Sequence, residues 1–218
     1  HDEMLGPFSM PPHIQNESDI NIGFYHQSNI GLLKHVYRKG LRVRYGATMQ
    51  CVSGMHYNFS IDQHSMNKLV KTYTQDEYND MYLGLVRNFK RLFWFILCEF
   101  GQTNVVDKSF VQDRSHKLDE LNKKDMFLRD ATSLRMSEIG YVSKAQKNLN
   151  VKYNSLEGFL ANIKDAIKIP YSDFKQKGLL DSNGEYHQIS DGIIQIENEY
   201  YDSIRPKRAS EVGLRPFD

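Results

Sequence analysis

The chain is 218 residues long, with 40% hydrophobic, 12% aromatic and 25% charged residues, a composition too apolar for disorder and sufficient for a buried core. Its 28 Lys and Arg balance 27 Asp and Glu for a net charge of +1, so no global field calls for nucleic acid or an anionic membrane as partner. The length suits one domain around one core, and the 2 cysteines, Cys51 and Cys98, lie in apolar segments, which fits a reducing, cytoplasmic compartment better than a disulfide framework.

The stretch "LGPFSMPPHIQNESD" collects prolines and turn formers and is predicted as a loop. From Ser28 a helix is predicted, because Ile30, Leu33, Val36, Tyr37 and Leu41 recur at spacings near three and four until Gly46. Its other face carries Lys34, Arg38, Lys39, Arg42 and Arg44. "MQCVSGMHYNFSI" then alternates like a strand. Met49, Cys51, Met55, Tyr57, Phe59 and Ile61 share a core face, and Gln50, Val52, His56 and Asn58 share the opposite one. Periodicity leaves that second face as either solvent-facing or the floor of a pocket.

A stronger helix is predicted over Gln75 to Phe100, where Tyr78, Met81, Tyr82, Leu85, Phe89, Leu92, Phe93 and Ile96 form a broad apolar stripe suited to a central packing helix. Its "LFWFILCEF" run is too short to cross a bilayer. "VQDRSHKLDELNKKD" is polar and charge-mixed and reads as a surface insertion, loop or short helix. "NSLEGFLANIKDAIKIP" has Asn154 or Ser155 as N-cap, an apolar face and Pro170 as its stop. Asn183-Gly184 marks a tight hairpin turn, and "GIIQIENEYYDSIR" reads as a strand giving way to a loop. This order predicts an α+β fold rather than a doubly wound one.

The chain contains no Walker loop, GxGxxG, HExxH, paired CxxC or GxSxG, so any chemistry must come from dispersed residues. Three clusters, "YRKGLRVRYGATMQCVSGMHYNF", "RDATSLRMSEIGY" and "IENEYYDSIRPKR", set arginines close to tyrosines and small residues. Arginine's planar fork suits carboxylate and phosphate, and tyrosine offers an apolar wall with a polar tip, so a small charged ligand fits. Single-stranded RNA, whose bases stack on rings, fits the same composition. The plainer alternative is solvated arginines beside core tyrosines. His56 alone reads more readily as a hydrogen-bonded structural residue than as a ligand, and Met49, Met55, Cys51 and Cys98 read as core.

The block "YRKGLRVRYGATMQCVSGMHYNFS" closely resembles the signature of the bacterial glutamate-cysteine ligase family, YR-x-GL-x-x-RYG-x-x-MQ-x-x-SG-x-HYNFS. "DEMLGPFSMPPHI", "ATSLRMSEIGY" and "IENEYYDSIRPKR" are similar to further family blocks in the same order. The resemblance implies a glutamine-synthetase-like fold, with part of a curved antiparallel sheet packed against helices, and residues 1–218 as one domain, the central part of a longer catalytic domain. It implies ATP-dependent joining of the glutamate γ-carboxylate to cysteine through a γ-glutamyl phosphate, the first step of glutathione biosynthesis, with ATP and Mg2+ required and no nucleic-acid or membrane partner.

By the same resemblance His56 is a magnesium ligand, Arg38 steadies the transferred phosphoryl group, and Arg135 binds glutamate. Tyr37, Leu41, Gln50, Val52, Tyr141 and Tyr201 form the wall of the cysteine subsite, with Asn198 beside it. Val52 replaces the isoleucine common in the family. The family's acidic metal ligands and an ATP-binding arginine are expected before residue 1 and after residue 218, so the 218 residues are expected to be inactive or very weak alone. A non-catalytic amino-acid-binding module of the same fold is the alternative.

Overall fold

The computed structural model describes residues 8–54, 56–69, 74–101, 103–112, 114–140 and 143–207. Helix α1 spans Asn29–Tyr45, and the Ser28 hydroxyl caps it by accepting from the Gly31 amide, which satisfies one of the free donors of the first turn. It ends at Gly46, whose φ of 87° is a conformation that L side chains disfavour. Beside it a carboxylate of Glu17 accepts from the amides of Ala47 and Thr48 and turns the chain into a 3-10 helix over Thr48–Cys51. Burial pushes the Glu17 carboxyl up, but these amide hydrogen bonds and the nearby Arg114 outweigh it and hold the group below the ordinary carboxylate range.

The strand expected over Met49 to Ile61 is therefore absent among the described residues, and with it the expected pair of faces. Met49 is buried, but Tyr57 is 88% exposed and Phe59 is also exposed; Met55 lies outside the described residues. Val52, expected on the Gln50 and His56 face, is instead 3% exposed and packed with Met10, Phe110 and Leu134.

Helix α2 (Gln63–Leu69) precedes helix α3 (Gln75–Phe100), which a capping box between Thr74 and Glu77 starts. The predicted bounds of α3 hold, but it is not a packing helix along its whole length. Leu83 and Val86 are buried, whereas Leu92, Trp94, Phe95, Phe100 and Cys98 are exposed. No helix among the described residues is long and apolar enough to cross a membrane.

The polar insertion is mostly loop, one of the two forms expected for it, and it supplies one whole strand and the start of another to a small sheet. Strands β1 (Val105–Asp107), β2 (Asp119–Glu120) and β3 (Asp125–Phe127) form a three-stranded antiparallel sheet in the order β1-β3-β2, with Val106 opposite Met126. Helices plus this sheet make the chain α+β. Helix α4 (Leu156–Lys168) has Ser155 as its N-cap, and α5 (Ser172–Lys177) follows. Asn183 and Gly184 lie in a turn closed by the Leu180 and Tyr186 bridge. Residues 192–204 form bends and a 3-10 helix at Glu197–Glu199 rather than the expected strand.

Apolar burial divides into two clusters instead of the single core expected from length. One gathers Met10, Val52, Val106, Phe110 and Leu134 around the sheet. The other gathers Leu83, Val86, Phe159, Ile163 and Ile194 between α3 and α4.

Candidate active site

Arg44 was expected on a basic, solvated face; it is instead buried, and its pair with Glu199 has both side chains 0% exposed. Its Nη1 donates to Glu199 Oε1 at 2.9 Å and to the Gly192 carbonyl at 3.1 Å. Its Nε donates to Gln188 Oε1 at 2.8 Å and its Nη2 to the Ser190 carbonyl. The guanidinium carbon lies 4.2 Å from the Phe174 ring centroid, an arrangement that suits a desolvated, weakly hydrated cation.

The Glu199 carboxylate also accepts from the Tyr45 hydroxyl at 2.6 Å and from the Gln195 amide at 2.8 Å. Burial pushes the Tyr45 phenol far above its ordinary value, and the Glu199 charge adds to this, so it stays a donor. Gln195 continues the network to α1: its Nε2 donates to the Tyr37 carbonyl at 3.4 Å. A Cβ on Gly40 would lie 2.0 Å from Gln195 Oε1, so only glycine lets this side chain cross the helix there.

This network joins α1, which carries Tyr37, Arg38 and Leu41, to the segment that carries Asn198 and Tyr201. Tyr37 and Leu41 are buried, and Arg38 is half-buried. Gln50, in the 3-10 helix after α1, donates from Nε2 to the Arg38 carbonyl at 3.1 Å. Asn198 is half-buried, and its carbonyl accepts from Arg205 at 3.2 Å. The Tyr201 ring lies edge-on to Tyr45 with centroids 6.5 Å apart.

Arg135, in the 3-10 helix Leu134–Met136, reaches the loop after Val52. A Cβ on Gly54 would lie 2.3 Å from its Nε, so the glycine is what admits the guanidinium. His56 is exposed, two residues beyond this contact along the chain, and Tyr141 lies outside the described residues. The structure thus ties α1, the helix that carries Tyr37, Arg38 and Leu41, to Gln50 through the Arg38 carbonyl and to residues 195–201 through Gln195 and Arg44, and sets Arg135 against the loop that continues from Gln50 and Val52.

A second brace lies beyond Tyr201. The Asp202 carboxylate accepts from Tyr153 at 2.7 Å and Tyr200 at 2.9 Å and pairs with Lys90 of α3. Burial pushes the Asp202 carboxyl up, yet these donors overcome it and hold it below the usual carboxylate range. Two cavities, of about 200 and 320 Å3, flank α1 near Glu17 and Arg114 and near His35 and His187, and neither is lined by the connected set above. Among the described residues no group of three His, Cys, Asp or Glu side chains is placed to hold a metal ion. Magnesium requires near-octahedral oxygen ligation, so the described residues do not by themselves fit a magnesium site, and His56 does not compose one.

The sequence model described as glutamate-cysteine ligase matches residues 1–218. The chain belongs to the glutamate-cysteine ligase family. A glutamate-cysteine ligase of Pseudomonas putida strain W619 is 44% identical over 222 residues, covering 99% of this chain and 42% of that protein. One of Pseudomonas entomophila strain L48 is 44% identical over 221 residues, covering 99% and 41%. A crystal structure of glutamate-cysteine ligase from Francisella tularensis in complex with AMP superposes with a TM-score of 0.83 at 37% identity, covering 95% of this chain and 41% of that one. The chain therefore spans about two fifths of the length of these family members.

Arg44, Glu199, Gln195 and Asp202, which join the elements of the candidate site, were not singled out as site residues by the sequence reading. One signal for them was present: Gly40 sits between Tyr37 and Arg44 on one face of α1, where a missing side chain marks a close approach.

Proposed function

We propose that the chain supplies the amino-acid-binding part of an ATP-dependent ligase that joins the γ-carboxylate of L-glutamate to the amine of L-cysteine, the reaction that opens glutathione biosynthesis. The whole fold would then be glutamine-synthetase-like, with residues 1–218 as the central part of one catalytic domain and the three-stranded sheet adjoining a larger curved one. Support comes from the relatives' names and from AMP in the Francisella structure. The single observation that carries the reading is the buried bridge from α1, the helix of Tyr37, Arg38 and Leu41, to residues 195–201, the segment of Asn198 and Tyr201.

In this reading a γ-carboxylate oxygen of glutamate attacks the γ-phosphorus of ATP and ADP leaves. The cysteine amine then attacks the acyl carbon, loses a proton, and inorganic phosphate leaves. Arg135 holds a glutamate carboxylate, and Arg38 offsets charge on the transferred phosphoryl group, as phosphoryl transfer chiefly requires. Tyr37, Leu41, Gln50, Tyr141, Asn198 and Tyr201 enclose the cysteine side chain, with Val52 backing that wall from the core. His56 would offer an imidazole nitrogen to a magnesium ion, whose oxygen ligands would have to come from groups other than the described residues.

A coupled assay for ADP with glutamate, cysteine and ATP tests the catalytic half of the reading. The 218 residues alone are expected to turn over weakly or not at all while binding both amino acids in calorimetry. Robust turnover would overturn the view that essential metal ligands lie elsewhere, and failure to bind either amino acid would overturn the site.

A further inference from the structure

We infer that Gln146 is a positioning residue for the cysteine pocket, acting through the backbone that presents Tyr201; the inference rests on the reading of Tyr201 given above. Gln146 closes a 3-10 helix over Lys144–Gln146. Its Nε2 donates to the Glu199 carbonyl at 2.7 Å, and its Oε1 accepts from the Tyr201 amide at 3.1 Å. A carboxamide that pairs with the carbonyl of one residue and the amide two residues on does what a neighbouring strand does in a ladder. Among the described residues no strand flanks residues 199–201, so the side chain takes that part and holds the backbone extended across Tyr200.

The bracing is anchored at both ends. The Gln146 helix begins at Ser143, whose hydroxyl donates to the Tyr45 oxygen at 3.2 Å, and Tyr45 in turn donates to Glu199 at 2.6 Å. Beyond Tyr201, Asp202 is held by Tyr153, Tyr200 and Lys90. Tyr201 therefore has fixed neighbours on each side, and its own amide donates to Gln146 Oε1. Gln146 also follows Tyr141 closely in the chain, so one carboxamide links the segments that carry two proposed wall tyrosines.

Calorimetry with L-cysteine and, separately, L-glutamate on this chain tests the inference. Gln146→Ala is expected to weaken cysteine binding about tenfold, the effect of losing hydrogen bonds that hold a binding residue, and to leave glutamate binding within about twofold. Gln146→Glu keeps the acceptor for the Tyr201 amide and loses the donor to Glu199, so its cysteine affinity falls between wild type and Gln146→Ala; if the alanine variant does not fold, this variant carries the comparison. Asn162→Ala removes a side-chain acceptor from the Lys152 amide and is the stability control, with a lowered melting temperature and unchanged cysteine affinity. Unchanged cysteine affinity in both Gln146 variants, or an equal loss for both amino acids, overturns the positioning role. A wild-type chain that binds no cysteine overturns the reading of Tyr201 itself.

Discussion

Arg44→Met is the sharpest perturbation of the fold. The side chain is fully buried against Glu199, and its removal strips donors from Gln188, Gly192, Ser190 and Glu199. Among the described residues Glu199 would then keep Tyr45 and the Gln195 amide around a desolvated negative charge. Removing one partner of a buried ion pair costs about 3–5 kcal/mol, and a domain of this size loses about 2–4 °C of melting temperature per kcal/mol, so a fall of about 6–20 °C is expected. Thermal unfolding by circular dichroism, with urea titration for the free energy, reads this directly. Arg44→Met/Glu199→Leu removes both charges and is expected to be more stable than Arg44→Met, since no carboxylate is stranded. A single variant within about 1 kcal/mol of wild type, or a double variant in which the losses simply add, would refute the buried pair as the clamp between α1 and residues 195–201.

Other consequences follow from particular residues. Gly46→Ala puts a Cβ at positive φ and 2.7 Å from Glu17 Oε1, and is expected to cost about 1–2 kcal/mol in urea unfolding. Gly54→Ala would press a methyl into the Arg135 guanidinium; it is expected to weaken glutamate binding at least several-fold by calorimetry, with cysteine binding much less affected. The native Asp202 carboxyl binds its proton less tightly than the unfolded one. Its stabilising contribution is thus complete above about pH 4 and is lost as pH falls through the lower native value. Asp202→Asn should therefore flatten the acid limb of stability against pH, and an unchanged limb would show that the carboxylate is not the group responsible.

Local signals sufficed for the three longer helices, α1, α3 and α4, but not for the short α2 and α5. Ser28 and Ser155 sit at the starts expected of them, because caps act within one turn of their own sequence, and α3 was placed by its apolar stripe, the Thr74 and Glu77 capping box emerging only from the structure. The supposed strand over Met49 to Ile61 failed because alternation of residue types does not require an extended backbone. What bends Thr48–Cys51 is the carboxylate of Glu17, a partner too distant in sequence for any periodicity to register. The short strands β1 to β3 escaped for the opposite reason: they are two or three residues long and β2 is exposed on both positions, leaving no pattern to detect. The apolar stripe of α3 was legible, but whether Leu92 or Trp94 is covered depends on what packs there. In the candidate site, resemblance named the residues proposed to face a ligand, while the buried charges that join their elements contradict the ordinary expectation that Arg and Glu lie at the surface.

The central claim is that Tyr37, Leu41, Gln50, Asn198 and Tyr201 form one amino-acid pocket. Titration of isotope-labelled protein with L-cysteine, followed by NMR of the backbone amides, tests it most directly. The account predicts that these five positions shift together with one dissociation constant, while amides near His35 and His187 stay still. Shifts confined to the His35 and His187 cleft, or five positions that respond at unrelated concentrations, would contradict it.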